Sequence, residues 1–265
     1  MSSTVTTDAT SPAGTSASSG VPMGRLIRVE LRKLTDTRAG KWLLIAIAAI
    51  TVLVVVIALF TAKASELTYD NFTGFAGIPQ GILLPVLGIL VVTSEWSQRT
   101  GLVTFTLVPS RARVLVAKLV ATVIMGIIAL MIAFSAAALG NLLAMAFRGT
   151  DSSWTFGAEG FLDITVGQLQ GLIQGVAFGM LLLNSAAAIV TYFALPIAWS
   201  LLFNLVASLR DIAPWVDLGT AQQPLFAHHM TAENWAQLAV TTLVWIALPL
   251  AIGWWRVLRS ELKSA

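Results

Sequence analysis

Six apolar runs constrain this chain more than any other feature: Trp42 to Phe60, Phe75 to Thr93, Val116 to Met145, Ile164 to Leu183, Ala187 to Leu205, and Trp235 to Trp255. A bilayer core takes about 20 apolar residues per helix, and each run meets or approaches that length. The composition agrees. With 57% hydrophobic and 11% charged residues and a mean hydropathy of +0.83, the chain lacks the polar surface to cover a water-soluble core. The fourth and fifth runs are nearly continuous, but one helix across both would measure about 68 Å, twice the hydrocarbon thickness. A turn is therefore expected near Asn184 and Ser185. The expected fold is an all-α integral membrane protein with six transmembrane helices.

The distribution of Lys and Arg sets the expected orientation. Arg25, Arg28, Arg32, Lys33, Arg38 and Lys41 precede the first run. Arg99, Arg111, Arg113 and Lys118 lie between the second and third, and Arg256, Arg259 and Lys263 follow the sixth. Lys63, Arg148 and Arg210 are left for the other face. Both termini are expected to be cytoplasmic, with Trp42, Trp96, Trp254 and Trp255 at the inner membrane interface. The sequence pI near 9.6 then reflects topology and anionic lipid headgroups, and no nucleic-acid partner is expected. Residues 1–21, rich in Ser, Thr, Ala, Gly and Pro, read as a disordered tail without the apolar core of a cleaved signal peptide. Residues 22–40 read as an amphipathic interfacial helix, with Met23, Ile27, Leu31 and Leu34 on one face and Arg25, Arg28 and Arg32 on another. Residues 41–260 form the six-span domain, and 261–265 a cytoplasmic tail.

Within the fourth run Gly167, Gly171, Gly175 and Gly179 recur every fourth residue, which bares one helix face for close packing by another helix. Gln170 and Gln174 lie beside them, one turn apart. These glutamines, together with Asn141, Asn184 and Asn204, have two readings: hydrogen bonds between helices, or the lining of a substrate path, for which Gln170, Gln174 and Asn204 are the candidates. Pro85, Pro196 and Pro249 should bend the second, fifth and sixth spans. Residues 207–232, with Pro214 and Pro224, are expected to form an outer loop long enough to fold back into the membrane.

No catalytic motif is present. The sequence contains neither G-x-S-x-G nor H-E-x-x-H, nor the phosphate-binding G-x-x-x-x-G-K-[ST]. There is no cysteine, and the two histidines, His228 and His229, are adjacent on the outer loop, where a surface role is expected and no metal site. No span carries an Asp or Glu near its centre, which argues against a proton-coupled carrier.

The segment EWSQRTGLVTFTLVPSRARVLVAK, residues 95–118, places charge, Gly and Pro between two spans. Glu95 to Arg99 reads as a short polar surface helix, Gly101 as its end, and Pro109 as a break before the third span. The order Glu95, Thr100, Gly101, Thr104, Pro109, Arg111, Lys118 resembles the first cytoplasmic loop of ABC-2 type transporter permeases, the membrane subunits of ATP-driven exporters. Thr100 precedes Gly101 here, the reverse of the family's usual order. ELRKLTDTRAGKW, with Glu30, Lys33 and Arg38, is similar to the family's entry, and NSAAAIV from Asn184 is similar to its second cytoplasmic connection. The resemblance implies a permease in a bacterial inner membrane that exports a hydrophobic or amphipathic substrate. It implies coupling to an ATPase through Glu95, Arg99, Gly101, Pro109, Arg111 and Asn184. ATP and Mg would be held by a separate ABC ATPase subunit, with no cofactor on this chain and no enzymatic activity of its own. A second permease copy or homologous permease, and membrane lipids, complete the implied partners.

A coincidence with the importer EAA loop at Glu66, Ile82, Leu84 and Pro85 is set aside, because the charge pattern places Glu66 outside. A non-transporting membrane scaffold or sensor in a signalling or immunity complex is the alternative from another class, and the short loops offer it little polar surface.

Overall fold

The computed structural model describes residues 21–97, 110–151 and 153–259, with the backbone alone for Trp96 and Ser97. Every regular element among the described residues is helical. The chain runs through α1 (Met23–Asp36), α2 (Arg38–Thr61), α3 (Tyr69–Ser97), α4 (Arg111–Arg148), α5 (Ala158–Leu182) and α6 (Ser185–Leu205). It continues through the short α7 (Ala213–Val216) and α8 (Leu218–Phe226) to α9 (Ala232–Thr242) and α10 (Leu248–Arg259). A π-helical turn over Leu243–Ala247 joins α9 to α10. Six helices are long and apolar enough to cross a membrane: α2 to α6 and the α9–α10 rod.

Helices α2, α3, α4 and the α9–α10 rod outrun their apolar runs at both ends, and polar side chains at several helix ends satisfy terminal N–H and C=O groups. Thr37 Oγ1 accepts from the Gly40 N–H at 3.2 Å, Thr231 and Asn234 form a capping box, and α4 ends where Gly149 turns to φ 61°. Arg148 donates to the carbonyls of Leu59 at 2.7 Å and Ala62 at 3.2 Å, closing the C-terminus of α2. The turn expected at Asn184 and Ser185 falls there. Leu183 adopts φ 53° with its N–H on Gly179 O, and Asn184 Oδ1 accepts the Ala187 N–H at 3.0 Å.

The core is built around α3, whose largest interface is with α5. Lipid-soluble helices gain little from burying apolar surface against one another, so close backbone approach carries the packing. At this crossing a Cβ on Gly175 would lie 2.2 Å from Pro85 O, and one on Gly88 would lie 2.5 Å from Leu172 O. Helix α6 is peripheral, with only Ala188 and Phe203 buried. One end of the bundle gathers α1, the end of α3, the start of α4, the α5–α6 turn and the end of α10. Arg113 Nη2 donates there to Val21 O at 2.6 Å, and Arg256 Nη1 donates to Leu181 O. This is the basic end.

Several expectations need correction. The buried stripe of α1 is Leu26, Glu30 and Leu34, with Met23, Ile27 and Leu31 only half-buried. The helix packs on α4 and α2, so protein contacts rather than the apolar residues alone choose its inner face. Helix α3 begins at Tyr69, which adds Pro79 to the proline inside that span. It also continues unbroken through Glu95, so no separate surface helix starts there. The connection expected as a loop over 207–232 is helical over most of its length: a 3-10 segment, α7 and α8 occupy 207–226, and Leu218, Ala221 and Leu225 pack against Phe178 and Trp245. Their apolar spacing lets one face be buried on α5 and α9.

Candidate functional site

The basic end holds a ring of four charges. Lys118 sits two turns into α4 among Val114, Leu115 and Ala117, and Glu30 lies on α1 between Leu26 and Leu34. Each would be costly if buried alone. They meet instead: Lys118 Nζ lies 2.7 Å from Glu30 Oε2 and 3.1 Å from Glu95 Oε1, and donates to Val91 O at 3.4 Å. An ammonium has three donors, and each finds an acceptor. Lys33 Nζ closes the ring from the solvent side, 2.7 Å from Glu30 Oε1 and 3.0 Å from Glu95 Oε1. Side-chain exposure is 2% for Lys118, 6% for Glu30, 5% for Glu95 and 39% for Lys33. Burial pulls the Lys33 pKa down, but the charges and hydrogen bonds of Glu30 and Glu95 outweigh it and hold the ammonium above the usual lysine value.

The geometry makes a joint. Two carboxylates balance two ammoniums, so no net charge is buried, and the ring ties α1 to the last turn of α3 and the second turn of α4. Glu95 and Lys118 stand on either side of residues 98–109. A displacement of that connection must move three helix segments together or break several bonds at once.

The neighbouring connection is tied to the same place. Thr93 Oγ1 lies 2.7 Å from Ser185 Oγ, joining the end of α3 to the start of α6 beside Asn184. Arg111 Nη1 donates to Val257 O at 3.2 Å and Leu258 O at 3.5 Å, holding the C-terminus of α10. Glu95, Arg111 and Asn184 therefore share the basic end. Arg99, Gly101 and Pro109, with Thr100 and Thr104, lie outside the described residues.

The other singled-out residues divide. Gly175 and Gly179 pack on the backbone of Pro85 and Ile89, whereas Gly167 faces Phe226 and Leu225 of α8, and Gly171 faces Tyr192. Gln170 bridges helices, donating to Thr242 Oγ1 at 2.6 Å and accepting from Gln222 Nε2 at 3.1 Å. Gln174 is buried against the α3–α5 interface. Asn204 does not join them: it is exposed at the end of α6, donating to Ser200 O and accepting from Arg210. His228 is not a simple surface residue. At φ 54° its ring sits between Asp163 Oδ2 at 3.3 Å and Asp70 Oδ1 at 3.4 Å, edge-on to Phe156. Asp163 enters α5 because that helix starts at Ala158, before the apolar run. Among the described residues no group of three His, Cys, Asp or Glu could hold a metal ion.

Sequence reading did not assemble the ring or the His228 clasp. A signal for the first was present: a carboxylate on the apolar stripe of α1 and a lysine inside the apolar start of α4, each needing a partner of opposite sign. Comparison with protein-family models and with curated proteins found no match.

Proposed function

We propose that the chain is the membrane-spanning permease subunit of an ATP-driven exporter of the ABC-2 type, carrying a hydrophobic or amphipathic substrate. ATP would be hydrolysed on a separate ATPase subunit bound at the basic end, which faces the cytoplasm in this reading, and a second permease copy would complete the transporter. The observation that carries the proposal is the four-charge ring. It clamps both shoulders of the connection 98–109 to α1, so a push on that connection is delivered to α3 and, through the Pro85–Gly175 contact, to α5. A loop that merely links two spans has no need of a buried, charge-balanced joint at its base.

The test is Glu95→Gln, compared with wild type after purification with the ATPase that accompanies the chain in its native membrane. The variant should insert and retain the ATPase but lose substrate-stimulated ATP hydrolysis and export. Wild-type stimulation in the variant, or recovery of no ATPase from native membranes under mild cross-linking, would sink the proposal. Failure to insert would make Glu95 a folding residue only.

A further inference from the structure

Between α3 and α5, toward the end remote from the ring, lies a cavity of about 380 Å³, within the range of ~300–1,000 Å³ of small-molecule sites. One wall is the bare face of α3 at Gly74, Gly77 and Gly81, spaced i, i+3, i+7. Gly77 O accepts from Gln168 Nε2 of α5 at 2.9 Å, whereas Gly74 and Gly81 do not serve helix packing. A Cβ on Gly74 would meet nothing within 4 Å, and one on Gly81 nothing nearer than the Gln168 amide at 3.9 Å, in contrast to the clash at Gly175. Membrane helices use glycine where another group must come close to the backbone, and here that space is open.

A second observation is independent of the glycines. Gln174 lines the cavity and is 3% exposed, yet its Nε2 has no hydrogen-bond partner among the described residues. Gln170, one turn earlier, has both amide atoms bonded. A buried amide donor without an acceptor forfeits its hydration, so a group supplied from outside would complete the site. Tyr192 lines the same space, and no Asp, Glu, Lys, Arg or His does, so a charged ligand would be desolvated without compensation.

We infer that this cavity binds a neutral amphiphile whose ester, amide or ketone carbonyl accepts from Gln174 Nε2 while its apolar portion lies along the glycine face of α3. Binding here is independent of the exporter reading, because it requires no ATPase and no transport.

The test uses the full chain in lipid nanodiscs and a neutral decanoyl N-methylamide carrying a chain diazirine, with adducts mapped by peptide mass spectrometry. Control probes are the diazirine alkane without a carbonyl and the corresponding carboxylate. Labelling by the amide should saturate and concentrate in residues 73–82 and 164–174, at least tenfold above either control. Gln174→Leu should lower it about tenfold. Gly81→Leu, which fills open space without a backbone clash, should abolish it while the chain keeps its helicity, and serves if the first variant misfolds. Discs of ester-linked and ether-linked lipid distinguish two sources of the carbonyl. Stronger probe binding in ether lipid identifies a bilayer ester as the resident ligand, and equal binding identifies a free amphiphile. Equal labelling by all three probes, or labelling untouched by both variants, overturns the site and leaves water or lipid chains in the cavity. A Gly74→Cys disulfide between two copies that blocks labelling also overturns it, assigning the face to a second chain.

Discussion

Replacing Lys118 by Met tests the joint most directly. The substitution keeps the stem's bulk in its apolar surroundings and removes an ammonium that is 2% exposed and bonded to Glu30, Glu95 and Val91 O. What remains is two carboxylates, each at least 94% buried, sharing Lys33. Removing one member of a buried ion pair costs about 3–5 kcal/mol, against about 0–1 kcal/mol for an exposed pair. Because Lys33 still lies within 3.0 Å of both carboxylates, the lower end applies, and the loss should be about 3 kcal/mol. Reversible unfolding of the full chain in mixed micelles, titrated with a denaturing detergent, measures it. Glu30→Gln combined with Lys118→Met restores charge balance between Lys33 and Glu95, so the double variant should cost less than the sum of the singles by about 1–2 kcal/mol. Hydrogen exchange across residues 23–36 should rise in the single variant as α1 loosens. A loss under about 1 kcal/mol, or strict additivity in the cycle, would mean that water screens the ring and apolar contacts alone hold α1.

Gly175→Ala places a methyl 2.2 Å from Pro85 O and should destabilise the fold by about 1–3 kcal/mol, while Gly24→Ala, with nothing within 4 Å of its Cβ, should be neutral or gain up to about 1 kcal/mol in helix propensity; thermal melts of both decide. The chain has no cysteine, so single Cys residues at Glu66, Ser208 and Asp36 can be probed with an impermeant thiol reagent on intact cells, and labelling at 66 and 208 but not 36 is expected; the reverse pattern refutes cytoplasmic termini. The raised pKa of Lys33 makes its contribution complete below the unfolded value of 10.5 and lost as pH rises through the higher folded value, so wild type minus Lys33→Met stability should stay flat from pH 7 to about 10 and fall above about 10.5; a difference that vanishes near neutrality contradicts the assignment.

The number and approximate extent of the long helices are determined by sequence alone, because a run of about 20 apolar residues has one economical conformation in hydrocarbon, with every backbone donor bonded within its own helix. The turn at Leu183 and Asn184 is equally local, fixed by the length limit on a spanning helix and by an Asn cap. The last two glycines of the α5 repeat, Gly175 and Gly179, also mark its close approach, since a bare helix face is a property of spacing. Partners are another matter. Glu30, Lys33, Glu95 and Lys118 are separated by up to 88 residues in the chain, and each alone reads as an ordinary charge near a membrane surface. Only the packing of α1 on α4 beside the end of α3 brings each lysine within 3.1 Å of both carboxylates and makes them a single neutral unit. The same holds for Gly74, Gly77 and Gly81, whose spacing matches a packing stripe as well as that of α5 does. Whether such a face meets a neighbouring helix or stays open depends on where the neighbour's backbone passes. Here α5 closes on α3 at Gly88 and Gly175 and leaves Gly74 and Gly81 uncovered, because the distance between two crossing helices is set at their point of closest contact and grows away from it.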